Sequence, residues 1–253
     1  MRLLNTTSGK FELVSVRKNV CYAILSHTWD VGGEQGYTAI VTLQSAPLNP
    51  LDKEPDTTIS PKIRDTCRVA RSHRFKLLWM DTCCIDKSSS AELMESLNSM
   101  YEWYRQASVC YVYLTDVPSS DDIWRPGSAF CASRGHTRGW TLQELIAPTN
   151  VVFLSSDWHP LGTKTTLAVL LESITVINTS ILLHKTPLSS ISVAHRMWWA
   201  SSHQTTRVKD EAYALMGIFD VRIPMVYGEG HKAFLLLQEE ILKTIPDQSL
   251  LAW

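Results

Sequence analysis

The chain has 253 residues, enough for one large α/β domain or one domain with an appendage, and its 45% hydrophobic content can fill a substantial core. A formal net charge of −1 with 19% charged residues argues against a general nucleic-acid surface. No stretch reaches the roughly 18 apolar residues needed to cross a bilayer, and the start, Met1 to Gly9, lacks the apolar core of a signal peptide.

Arg2 to Val16 reads as a lead-in. Cys21 to Ser26 is almost continuously apolar, as expected of a strand buried on both faces. His27 to Asp30 and a stretch holding Gly32, Gly33 and Gly36 follow it. Pro47 to Pro61 carries four prolines and three acids and reads as a loop or insertion. Ile63, Cys67 and Ala70 fall at i, i+4, i+7 and predict a helix. Lys76 to Met80 is a second strand, ending at Asp81.

Ser88 to Ser90 opens the next helix, with Ser89 and Glu92 as a capping box. Leu93, Leu97, Met100 and Tyr104 line one of its faces; Glu92, Glu95, Ser99, Glu102 and Gln106 take the other. Val109 to Leu114 is a third strand, Asp116 to Gly127 a polar loop, Thr141 to Ala147 a short helix that Pro148 must end, and Val151 to Leu154 a fourth strand. Alternation of strands and helices implies a parallel sheet with right-handed crossovers.

The pattern changes after Trp158. Thr165–Asn178, Ala194–Ser202, Val208–Met216 and Lys232–Thr244 read as helical, with Gly217 as the stop of the third. Val221 to Pro224 and Tyr227 to Gly230 are turn-rich joints. The division expected is an α/β core over 1–160 and a helical part over 161–253. Cys21, Cys67, Cys83, Cys84, Cys110 and Cys131 lie mostly in or beside apolar runs, which favours free thiols in a reducing, intracellular, cytoplasmic setting over a disulfide framework.

Five segments together carry a family resemblance: Tyr22 to Trp29, Trp79 to Leu93, Thr137 to Pro148, Thr205 to Phe219 and Tyr227 to Phe234. In this order they resemble the fungal heterokaryon-incompatibility (HET) domain across essentially the whole chain. The resemblance implies a role in non-self recognition and regulated cell death, often as one module of a larger receptor-like protein. It also implies a remote similarity to TIR domains, hence a flavodoxin-like parallel sheet flanked by helices, with a helical C-terminal extension. TIR domains have a first strand running into Ser-His or Ser-Tyr, as at Ser26-His27. Their second strand leads to an acidic turn, as at Asp81 and Asp86. Trp140-Thr-Leu-Gln-Glu144 has the Trp-to-Glu spacing of their catalytic Trp-Cys-x-x-Glu. Three departures from the HET pattern stand out: Asp30 in place of a common Gly, Ser133 to His136 in place of an aromatic pair, and Val221-Arg-Ile in place of Val-Asn-Met.

Enzymatic TIR domains cleave NAD, so the resemblance makes this chain a candidate NAD glycohydrolase. Glu144 is the candidate catalytic carboxylate, since a buried acid can hydrogen-bond the ribose hydroxyls and stabilise an oxocarbenium-like transition state. Its bland reading is a capping box with Thr141. Trp140 either stacks on nicotinamide or is a core residue, and Arg138 either binds a phosphate or forms a structural ion pair. Ser26, His27, Thr28 and Trp29 leave a strand end where N–H groups and hydroxyls can hold a diphosphate. Asp81 ends a strand, where a site role and a turn-capping role compete.

Asp210 and Glu211 read as structural support. No Gly-x-Gly-x-x-Gly and no Walker A motif is present. NAD or a related nucleotide is expected as substrate, with no cofactor, no metal, no nucleic acid and no membrane. Self-association and partner domains of incompatibility systems are the expected contacts. Three competitors remain: a non-enzymatic signalling module acting by assembly, a cysteine hydrolase using Cys84 and His27, and a Mg²⁺-dependent nuclease or nucleotide-processing domain using Asp81, Asp86 and Glu144.

Overall fold

A computed structural model describes residues 1–15, 20–30, 32–45, 59–224, 230 and 232–252. Most of the Pro-rich segment after Pro47 and most of the Tyr227 to Gly230 joint lie outside the described residues. Among the described residues the strands are β1 (Arg2–Asn5), β2 (Phe11–Leu13), β3 (Ala23–His27), β4 (Leu77–Trp79), β5 (Val109–Tyr113), β6 (Val151–Leu154) and β7 (Pro160–Thr163). They form one sheet in the order β2-β1-β4-β3-β5-β6-β7. The middle four are parallel, as the alternation of elements predicts. Both edges are antiparallel.

The edges are where the structure departs from the sequence reading. Arg2 to Leu13 is a hairpin and not a lead-in, because Leu3 and Leu4 are both fully buried against the sheet. Neither β1 nor the polar β7 shows the alternation or apolar run by which a strand is recognised.

The central strand β3 is buried at all five positions, which its apolar run requires. From β3 the chain places β4 on one side and then crosses back to place β5 on the other. The carboxyl ends of β3 and β5 therefore lie at a topological switch point, the position where open α/β sheets bind ligands.

The helices preceding that point follow local rules. Between β3 and β4 lie α1 (Tyr37–Gln44) and α2 (Pro61–Ser72). Pro61 occupies the first turn of α2, and Ile63, Thr66, Cys67, Val69 and Ala70 are buried. Helix α3 (Ser90–Gln106) starts where expected, and Ser89 Oγ accepts the Glu92 N–H. The capping box closes differently, however. Glu92 turns to the Asp86 N–H at 2.8 Å and to the Arg2 guanidinium at 2.5 Å, because an arginine from β1 is a stronger partner than the local amide. The buried side of α3 is Ser96, Met100, Trp103 and Tyr104, with Leu93 and Leu97 only partly covered. Trp79 meets Trp103 and Tyr104 edge-on, at 5.4 and 5.9 Å between rings.

Helix α4 (Thr141–Ile146) joins β5 to β6, and α5 (Ala168–Thr175) follows β7. Helix α5 is shorter than predicted, because Val176 takes a left-handed conformation at φ 58°. An unanticipated α6 (Thr179–Leu182) comes next, then α7 (Val193–Ser201). The predicted helix over 208–216 is two short pieces, α8 (Asp210–Tyr213) and α9 (Met216–Phe219). Gly217 does not stop it. It lies inside α9, where an added Cβ would come within 2.2 Å of Tyr101 Cβ on α3. The stop is Asp220, at φ 53°. Helix α10 (Lys232–Thr244) is as read from the sequence. One hydrophobic cluster runs through both halves, from Leu3 to Leu250.

Candidate functional site

At the carboxyl end of β3 stands a carboxylate from the crossover between β5 and β6. Glu144 sits on α4, whose six residues are all buried, and keeps 7% of its own surface open. Its Oε2 accepts the Ser26 Oγ–H at 2.5 Å. The capping-box reading fails here: Trp140 is the N-cap, without a side-chain bond, and Thr141 Oγ1 donates to Arg138 O at 2.7 Å. A tertiary partner has captured the glutamate instead. The far end of α4 is pinned by Lys164, a fully buried lysine whose Nζ donates to Leu145 O at 3.1 Å and to Pro148 O. These satisfy carbonyls that a helix end leaves without partners.

Burial pushes the Glu144 carboxyl up to about 7. The Ser26 hydrogen bond pulls the other way, Asp81 raises it further, and Arg138 and His27 lower it. Five sequence-predicted residues therefore act on one another: Ser26 by contact, and His27, Asp81 and Arg138 by charge, all on Glu144.

His27 is buried at the strand end, its Nε2 3.1 Å from Glu34 Oε2 and 3.9 Å from Asp81 Oδ1. The other Glu34 oxygen takes Lys62 at 2.5 Å, and Lys62 also meets Asp30 at 2.9 Å and donates to Thr28 O at 3.3 Å. Burial alone would raise Glu34, but His27 and Lys62 overrule it and hold it at about 2. Neither Glu34 nor Lys62 was recognisable in the sequence, since each signals only a polar loop or helix face. Thr28 enters this cluster through its backbone carbonyl.

Trp29 stands 39% exposed on the rim, its Nε1 donating to Asp81 Oδ2 at 2.9 Å. Lys87 Nζ lies 3.6 Å from the Trp29 ring centre and the Arg138 guanidinium carbon 5.8 Å from it. Lys87 is a residue that the sequence reading missed, hidden between Asp86 and the helix start. Trp140 turns towards the helical part, its Nε1 donating to Asp210 Oδ2 at 3.4 Å. Gly139 between Arg138 and Trp140 is pinned by Gly139 N–H to Gln204 O at 2.8 Å.

Two competing chemistries are not assembled. Cys84 is buried with its Sγ turned to Leu78 O and the Met80 N–H, while His27 turns to Glu34. The hydrogen bond with Cys84, and then burial, raise the Cys83 thiol well above its ordinary value. All six cysteines are free. Among the described residues no three His, Cys, Asp or Glu side chains could hold a metal ion, and Asp86 turns away to Ser88 at 2.6 Å. Nor is any described helix long and apolar enough to cross a membrane.

Cavities lie beside α4 and beside Gly139. A small one of about 10 Å³ touches Ser26, Thr141, His136 and His203. A larger groove of about 520 Å³ lies beside Gly139, between α7, α8–α9 and α10. His203 lines both.

Residues 22–123 match the family described as Heterokaryon incompatibility protein (HET). Residues 232–253 match the one described as Domain of unknown function (DUF8212). Vegetative incompatibility protein HET-E-1 of Podospora anserina is 43% identical over 233 residues, 88% of this chain. The chain spans 16% of that protein's length. No solved structure matches the chain.

Proposed function

This chain carries a heterokaryon incompatibility (HET) domain, and on that premise we propose that it is a cell-death effector of fungal non-self recognition that cleaves the nicotinamide–ribose bond of NAD. The observation that carries the reading is the buried Glu144 carboxylate, held by Ser26 at the switch point. Ser26 fixes Oε2, and the carboxylate so held is the group that meets a ribose hydroxyl. Nicotinamide departs with the electron pair of the C–N bond, and the carboxylate stabilises the cationic ribose left behind. Water then forms the new C–O bond and loses its proton to solvent, giving ADP-ribose.

The reaction and the kinship to TIR domains are supported by this geometry and by the Trp140-to-Glu144 spacing. Self-association belongs to the same proposal and predicts activity per molecule that rises with protein concentration. A cytoplasmic setting is supported by the six free cysteines. The test is nicotinamide release from NAD by concentrated wild-type protein and by Glu144→Ala. Release by the wild type alone supports the assignment, and equal release by both sinks it.

A second reading, a non-enzymatic module that triggers death by assembly, is favoured by the groove of about 520 Å³ in the helical half. It predicts toxicity on expression that persists in Glu144→Ala while NAD stays constant.

A further inference from the structure

We infer that Lys87 and Arg138, converging on the Trp29 indole, form an anion clamp that selects phosphate-bearing ligands for the Glu144 site. The inference rests on the reading of that site as a nucleotide site and names the part of the ligand that the clamp grips.

Most cations near the site are already neutralised. Lys62 meets Asp30 and Glu34, and Arg2 meets Glu92. Lys87 and Arg138 are different. Among the described residues no carboxylate oxygen lies within 4.0 Å of either. The anion at hand, Asp81, spends Oδ2 on the Trp29 N–H. That bond orients the ring, and the ring in turn holds Lys87 Nζ at 3.6 Å over its face. Arg138 approaches the same indole at 5.8 Å. Two like charges drawn to one ring repel, and an anion between them relieves the repulsion. A guanidinium and an ammonium suit phosphate oxygens in complementary ways, the first as a planar fork and the second as a point charge.

The ligand side is equally constrained. Trp29 is 39% exposed at the rim, and Glu144 is buried below it at the end of β3. A glycoside reaching Glu144 with its sugar must leave its remaining groups at the rim. A diphosphate there meets Lys87 and Arg138, whereas a bare nucleoside leaves the clamp empty. Lys87 is thus a specificity residue outside the reacting atoms.

The experiment is calorimetric binding of ADP-ribose and of adenosine to the wild type, Lys87→Met and Lys87→Arg, at two salt concentrations. ADP-ribose affinity is expected to fall by about tenfold in Lys87→Met, to stay closer to the wild type in Lys87→Arg, and to weaken with salt. Adenosine is expected to bind more weakly than ADP-ribose. Equal ADP-ribose affinity in wild type and Lys87→Met, or no ADP-ribose binding to the wild type, overturns the clamp. Lys87-dependent binding without any loss of NAD from a reaction mix leaves the clamp standing and removes the glycohydrolase reading alone.

Discussion

Ser26 Oγ donates to Glu144 Oε2 at 2.5 Å across 118 residues of sequence. It ties the end of the central strand to the helix that follows β5, and it stabilises the charged form of a carboxyl that burial pushes up to about 7. If ionised Glu144 is the working form, NAD consumption rises with pH along an acid limb centred near 7. Ser26→Ala removes the hydrogen bond that lowers the carboxyl, so the limb moves to higher pH. A pH–rate profile of the two proteins decides this. A limb at the ordinary glutamate value of 4.5, unmoved in Ser26→Ala, removes Glu144 from the reaction.

The same carboxyl makes stability depend on pH. In the unfolded chain it ionises near 4.5, and in the folded chain near 7. Between those values the folded state holds the extra proton, so stability falls as pH rises through the window. The difference amounts to about 3 kcal/mol above pH 7. Glu144→Gln, which cannot ionise, is therefore expected to outlast the wild type in urea at pH 8 and to lose that advantage at pH 4. An equal difference at both values refutes the buried-acid account.

His136 works in the opposite sense. Burial lowers its imidazole to about 4 from the ordinary 6.5. Between those values the unfolded chain binds the extra proton, so stability drops as pH falls from 6.5 towards 4, by about 3 kcal/mol in all. Among the described residues its Nε2 has no hydrogen-bond partner, while the ring bonds the Phe130 backbone and packs edge-on against the Phe130 ring at 5.0 Å. Phe fits those apolar contacts. His136→Phe is expected to stabilise the protein at pH 5 and to change little at pH 8, read from urea midpoints. A variant less stable at pH 5 shows that the imidazole has a partner worth more than its desolvation cost.

The sequence made the parallel core and the place of the carboxylate legible for different reasons. Val151–Leu154 and Lys232–Thr244 were readable to the residue, because a short apolar run and an amphipathic period are local signals. The edge strands were not, because Arg2–Asn5 and Pro160–Thr163 are strands only through pairing with distant neighbours. Glu144 shows the same limit within one residue. Thr141 and Glu144 fit a local capping pattern equally well, and only the arrival of Ser26 decides between them. Lys87 and Glu34 carry no local sign of function, since their roles depend on Trp29 in one case and on His27 with Lys62 in the other. The resemblance supplied Trp29, Asp81 and Arg138 together, and the fold brought them to one rim.

Gly139 links that rim to the helical half. It lies between Arg138 and Trp140, and a Cβ there would stand 2.3 Å from Thr205 Cγ2 and 3.6 Å from Gln204 O. The Thr137 to Trp140 turn must approach the 203–205 segment this closely because Gly139 N–H and Gln204 N–H both cross the gap, to Gln204 O and Thr137 O. Gly139→Ala is expected to cost about 1–3 kcal/mol through overpacking and, by shifting Arg138, to weaken ADP-ribose binding as well. Thr205→Ser removes the opposing methyl and keeps the hydroxyl that donates to Arg207 O at 2.8 Å. The double variant Gly139→Ala, Thr205→Ser therefore recovers both the urea midpoint and the binding. Recovery of neither places the fault in the backbone of the turn and not in the methyl contact, and breaks the proposed coupling between the two halves.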